Sequence, residues 1–131
     1  MFVVDAERSN PRIFKTAWFS RAAKKARIKD DELCQAMQEA MNGQADDLGG
    51  GVYKKRLNKN KHRSGVLAKG GKYWIYVYLF AKQDRKNIEE NELTAFRKLA
   101  NLYAKKAEDE LEKELNTKEL VEICRAKEIQ K

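Results

Sequence analysis

The sequence predicts an α+β fold, and three features carry that prediction. Apolar residues recur at helical spacing across residues 17–41 and again after residue 88. A dense run of β-branched and aromatic residues occupies 52–81, and the pair Gly70-Gly71 separates two strand-like runs within it. Helices before and after an antiparallel meander, rather than alternating with single strands, define the α+β class. At 131 residues the chain fits one domain able to bury a core, with residues 1–11 a loose N-terminal segment and 105–131 a C-terminal extension.

Each element follows from local pattern. Asn10-Pro11 closes the loose segment. Arg12 to Lys15 can form a short strand with Ile13 and Phe14 on opposite faces. From Ala17, Trp18, Ala22 and Ala26, with Phe19 and Ala23, form an apolar helical stripe, while Arg21, Lys24, Lys25 and Arg27 lie outside it. Asp30 or Asp31 can cap a second helix, whose stripe is Leu33, Ala36, Met37, Ala40 and Met41. Gly43 is a natural stop. After Gly49-Gly50-Gly51 come three strand-like runs: Val52 to Asn58, His62 to Lys69, and Lys72 to Ala81. The last is apolar on both faces, which suits a central strand, and alternation puts Trp74, Tyr76, Tyr78 and Phe80 on one of them. Those aromatics read as core, with Tyr73 and Trp74 the most exposed, at the hairpin. A helix reopens at Asn87, with Glu89, Glu90 and Glu92 at its start and Leu93, Phe96, Ala100 and Tyr103 as its apolar face. Leu120 to Ile123 suits either a strand or a helical turn, and Arg125 to Lys131 reads as a frayed tail.

Composition narrows the function classes. Cys34 and Cys124, with no CxxC spacing, read as two unbonded thiols in a reducing compartment. One histidine and no cysteine cluster argue against a zinc site, so neither a metal nor a cofactor is expected. No secretory signal or membrane-spanning run is visible, and the expected location is the cytoplasm, away from membranes. Charge is the strongest signal. From Leu48 to Gln83 there is no acid, yet that window holds Lys54, Lys55, Arg56, Lys59, Lys61, Arg63, Lys69, Lys72 and Lys82. These nine cations exceed the chain's net charge of +8, so the remainder is close to neutral. A surplus this concentrated is the property of one surface and points to a polyanion, most naturally nucleic acid.

Alternation along the strands sorts the window. Lys54 and Arg56 share a face; Lys55 falls on the core side with Tyr53 and Leu57, an awkward place for a charge. Arg63 and Lys69 share a face with Gly65 and Leu67, and His62 points the other way. In a meander, Lys54, Arg56 and Arg63 are expected to converge, with Lys82 and Arg85 at the end of the patch. Such a cluster can bind phosphate or help to cut RNA. Cleavage by a ribose 2′-OH needs a base for that hydroxyl, cations for the phosphorane and an acid for the 5′-oxygen. A lysine among other cations can serve as base, arginine as the bidentate phosphate clamp, and His62, of a type that titrates near neutral pH, as acid or base.

The stretch LGGGVYKKRLNKNKHRSGVLAKGGKYWIYVYLFAKQDRKNIEENELTAFRKLA resembles the RelE/ParE superfamily of bacterial toxins, closest to its HigB-like and RelE-like branch. The carrying pieces are VYKKRL, HRSGVLA, the apolar strand running into YLFAKQDRKNI, and the helix start NELTAFRKLA. The resemblance implies a RelE-like fold: two N-terminal helices packed on a small twisted antiparallel sheet, with one or more C-terminal helices. It implies the toxin of a type II toxin–antitoxin system, a metal-independent endoribonuclease that cuts mRNA in the ribosomal A site. It further implies neutralisation by a cognate, DNA-binding antitoxin. Lys54 and Arg56 fall on the alternating basic positions, Arg63 on the phosphate-gripping arginine, and Lys82 on the basic turn; these four are the expected catalytic residues, with Lys54 as the base. Lys55, Lys59, Lys61, His62, Lys69, Lys72 and Arg85 are the expected contacts to mRNA and rRNA. Where RelE-like toxins carry an acid–base residue after the turn, this chain reads Asn87-Ile88-Glu89, and Gln83 replaces a turn arginine. Two other readings stand beside this one. The ParE branch shares the fold and poisons DNA gyrase without nuclease chemistry, although the triad Lys54, Arg56 and Arg63 favours a nuclease. A non-toxic nucleic-acid-binding module is the third.

Overall fold

A computed structural model of the protein describes residues 11–57, 62–84 and 87–124. Strand β1 (Arg12–Thr16) runs directly into helix α1 (Ala17–Lys25), where the Thr16 hydroxyl accepts the Phe19 N–H at 3.0 Å and caps the first turn. Arg27 closes that helix in the left-handed region (φ 61°), and the Ile28 N–H returns to the Ala23 carbonyl at 2.8 Å. Helix α2 (Asp30–Met41) follows. Its cap position is Lys29, without a side-chain cap, so Asp30 and Asp31 act instead as first-turn charges beside the positive end of the helix.

Strands β2 (Asp46–Gly49), β3 (Val52–Arg56), β4 (Arg63–Gly70) and β5 (Tyr73–Ala81) come next, then α3 (Glu90–Ala104), α4 (Glu108–Asn116) and β6 (Leu120–Ile123). Helix α3 starts later than expected. Its first turn is held by the Glu92 carboxylate, which accepts the Glu89 N–H at 2.9 Å, rather than by Asn87. The sheet order is β2-β3-β4-β5-β1-β6, with β1 parallel to β5 and the other pairs antiparallel. The expected meander is its centre. The C-terminal segment joins the same sheet, since β6 pairs with β1 and Leu111 and Leu120 are fully buried. The short polar strand β2 had no alternating apolar signal and was not expected.

Helices cover both faces. On one, Phe19 and Ala23 of α1 and Leu33, Ala36 and Met37 of α2 pack on Ile13, Leu67 and Tyr76. On the other, Ala100 and Tyr103 of α3 and Leu111 of α4 pack on Phe14, Val52, Val66 and Ile75. Ile13 and Phe14 thus do face opposite ways. The aromatics of β5 do not all share a face. The β4–β5 register shifts between Val66 and Leu67, so Val66 pairs with Tyr78 and Leu67 with Tyr76. The extra residue, Val77, inverts the alternation. Trp74 and Tyr76 join the α1/α2 side, whereas Tyr78 and Phe80 join the α3/α4 side. Tyr73 and Trp74 are both buried, not exposed at the hairpin, while Trp18 of the α1 stripe is 44% exposed.

Cys34 of α2 and Cys124, just beyond β6, form a disulfide with their Cα atoms 5.4 Å apart and a sequence separation of 90. This overturns the reading of two separate thiols. Nothing local announces such a pair, because docking of β6 beside β1 is what brings Cys124 to α2.

Candidate functional site

The α3/α4 face of the sheet is covered at its hairpin end but open at the other. There Lys54 and Arg56 project on the same parity as buried Val52. Arg56 pairs across the ladder with Ser64, and Ser64 in turn with Phe80. The His62 carbonyl accepts the Lys82 N–H at 2.6 Å, which ties the approach to β4 to the turn after β5. Asp46 of β2 stands opposite Lys54 in the register, its Oδ2 3.8 Å from the lysine Nζ. Arg97 of α3 donates to the Leu48 and Gly49 carbonyls, and so holds the β2–β3 turn that places Asp46. Together Asp46, Lys54, Arg56, His62, Ser64, Phe80 and Lys82 line a cavity of about 120 Å³.

The cavity therefore gathers three of the four expected catalytic residues, Lys54, Arg56 and Lys82, along with His62. Arg63 is not among them. It alternates with Ser64 and lines a separate groove beside α1, so the expected convergence of Lys54, Arg56 and Arg63 does not occur. Lys55 is also displaced from the role expected of it. It is 8% exposed, and its ammonium lies 2.9 Å from Glu39 of α2, so it is a structural ion pair rather than a surface for RNA. Lys69 and Lys72 are at the opposite, hairpin end, where Lys69 lies over Trp74 and Lys72 is 3.7 Å from Glu108. Lys59, Lys61 and Arg85 lie outside the described residues.

Two lining residues escaped sequence reasoning. Ser64 carries no local signal of its own, and only its pairing with Arg56 brings it to the cavity. Asp46 precedes the acid-free window and belongs to a strand without an apolar pattern. Among the described residues no group of three or more His, Cys, Asp or Glu is placed to hold a metal ion. Chemically, the cavity offers cations for a phosphate, and an imidazole and a carboxylate for proton transfer.

A mixed sheet with helices on both faces and a small cavity lined by cations at one end define the class: an α+β protein with a cationic site. Residues 11–123 match the family model described as the RelE toxin of the RelE/RelB toxin–antitoxin system. That span covers nearly the whole described structure, and the chain belongs to this family: it is a RelE-superfamily toxin whose partner is an antitoxin. Comparison with curated proteins and with solved structures gave no match.

Proposed function

We propose that this toxin is a ribosome-dependent endoribonuclease that cuts mRNA in the A site, works in the cytoplasm and is held inactive by a DNA-binding antitoxin. The observation that carries this reading is the meeting of Lys54, Arg56, His62 and Lys82 around one cavity in a chain of this family.

In this mechanism Arg56 and Lys82 hold the scissile phosphate and offset the charge that builds up on the phosphorane. Lys54, paired with Asp46, adds a third cation rather than the base first expected of it. The Asp46 carboxylate accepts the 2′-OH proton, and His62 donates one to the departing 5′-oxygen. Ser64 donates a hydrogen bond to a phosphate oxygen. No metal ion takes part in this scheme.

The test is expression in a translating extract with mapping of mRNA 5′ ends. Arg56→Ala should slow cleavage about 10²–10³-fold, the usual cost of losing one transition-state donor. His62→Gln should be similarly impaired. Cleavage by both variants at the wild-type rate would remove the cavity from the mechanism. Gyrase–DNA cleavage complexes in place of cut mRNA would assign the toxin to the other branch of the superfamily.

A further inference from the structure

We infer that the groove between α1 and the end of β5 is a second RNA subsite, which takes nucleotides flanking the cleavage site. It binds their phosphates with Arg63 and Lys25 and stacks a base on Trp18. The inference rests on the nuclease reading above and extends it.

The groove measures about 360 Å³. It exists because β1 stops short: its pairing with β5 ends at Lys15 opposite Tyr76, and α1 then lies along the remainder of β5. Ala22 and Ala26 give it an apolar wall, and Lys25 and Arg63 stand in its lining with a single acid, Asp84. Arg63 makes no ion pair among the described residues, whereas Lys54, Lys55 and Lys72 of the same basic window are all paired. Phe80 lines both this groove and the candidate active site, so the two are neighbours around the end of β5. A strand with one phosphate on Arg56 can continue past Phe80 to Arg63.

Trp18 supplies an independent observation. It is 44% exposed, an unusual state for a large aromatic, and its ring is stacked on Tyr78 at 4.9 Å with a 19° interplanar angle. Tyr78 itself lines the groove, and Trp18 lies one helical turn before Ala22. The inner face of the indole is thus fixed by Tyr78 while the outer one faces solvent, the arrangement of a stacking platform for a base. The charge of α1 agrees. Between Glu7 and Asp30 the chain has no acid, and Arg21, Lys24, Lys25, Arg27 and Lys29 fall on or just after this helix. The combination of cations with an aromatic platform fits single-stranded RNA rather than a duplex.

The experiment uses the full chain and two fluorescein-labelled 2′-O-methyl RNAs, which cannot be cut through a 2′-OH: a dinucleotide and a decanucleotide. Affinity is read by anisotropy across a potassium chloride titration. For the decanucleotide, Arg63→Ala and Lys25→Ala should each reduce the slope of log K against log salt by about 0.7, the value for one lost phosphate contact on a single strand. Arg63→Lys should keep the slope, which separates lost charge from lost folding. Trp18→Ala should weaken the decanucleotide about tenfold at an unchanged slope. None of these changes should affect the dinucleotide, whereas Arg56→Ala should weaken both. Wild-type slopes in Arg63→Ala and Lys25→Ala would overturn the subsite and leave the active-site reading standing. That is also the result expected if the groove serves a protein partner instead. If the wild-type chain binds neither RNA, the subsite falls, whereas the ribosome-dependent nuclease reading is overturned only by uncut mRNA in the translating extract.

Discussion

Lys55 shows how far a single side chain can depart from its composition. In sequence it is one of a run of cations; in the fold it crosses to the α2 side and is neutralised by Glu39 at 2.9 Å. Removing Lys55 takes a largely buried ammonium away from the Glu39 carboxylate. With Glu39 partly solvated, Lys55→Ala should lower stability by about 2–3 kcal/mol, toward or below the lower end of the range for such pairs. Urea unfolding measures that loss, while RNA affinity should stay at the wild-type level. Tyr76 makes a second residue-scale case. Its hydroxyl donates to the Leu33 carbonyl at 2.6 Å, and burial raises its ionisation well above the ordinary value of 10.0, helped by Glu32 and Glu39. The raised folded-state value means that the stabilisation is complete below pH 10 and is lost as pH climbs beyond it. Unfolding free energy should therefore fall by about 1.4 kcal/mol per pH unit above pH 10 on account of this tyrosine, and Tyr76→Phe should remove that part of the slope.

At the scale of elements, the β4–β5 hairpin and α3 meet at a contact that only glycine permits. A Cβ on Gly70 would come within 2.6 Å of the Ala100 carbonyl oxygen and the Ala104 nitrogen, both backbone atoms of α3. Gly70→Ala must push the helix off the sheet, and should cost about 2–3 kcal/mol, readable as a lower unfolding midpoint. The hairpin itself was legible in Gly70-Gly71, and the long strands were legible in their branched and aromatic residues. So were the apolar stripes of α2 and α3. The face assignment on β5 was not. A bulge at Val77 depends on how two strands pair, so simple alternation placed Tyr78 and Phe80 on the wrong side. The same limit applies to Arg63: its strand was evident, but the groove it faces is made by α1, which the window does not contain.

At the scale of the whole molecule, acids distant in sequence return to the basic window. Asp46, Glu39 and Glu108 pair with Lys54, Lys55 and Lys72, so the surface is less uniformly positive than the sequence implies. The disulfide acts at this scale as well. It joins α2 to the residue after β6 and encloses most of the chain, its ends separated by 90 positions in sequence. In the chain-entropy view, a loop of that size stabilises the fold by about 4–5 kcal/mol relative to the open chain. Reduction by a dithiol, or Cys34→Ser, should therefore lower the urea midpoint by a corresponding amount, while Arg12, bonded through Nε to Glu122 at 3.0 Å, still helps to retain β6. Equal midpoints for oxidised and reduced protein would show that the bond contributes nothing to stability.

By itself the sequence determined what local pattern can determine: two helices, a glycine-punctuated meander, a further helix, a concentrated basic window and the resemblance to RelE toxins. Tertiary structure alone decided which cations remain free, which face each aromatic takes, that Arg63 leaves the cavity of Lys54, Arg56, His62 and Lys82, and that Cys34 meets Cys124. The division has one physical cause. Helical and strand periodicities are set by neighbours within a few residues, whereas register, ion pairing and burial are set by segments that meet only after the chain has closed loops of tens of residues.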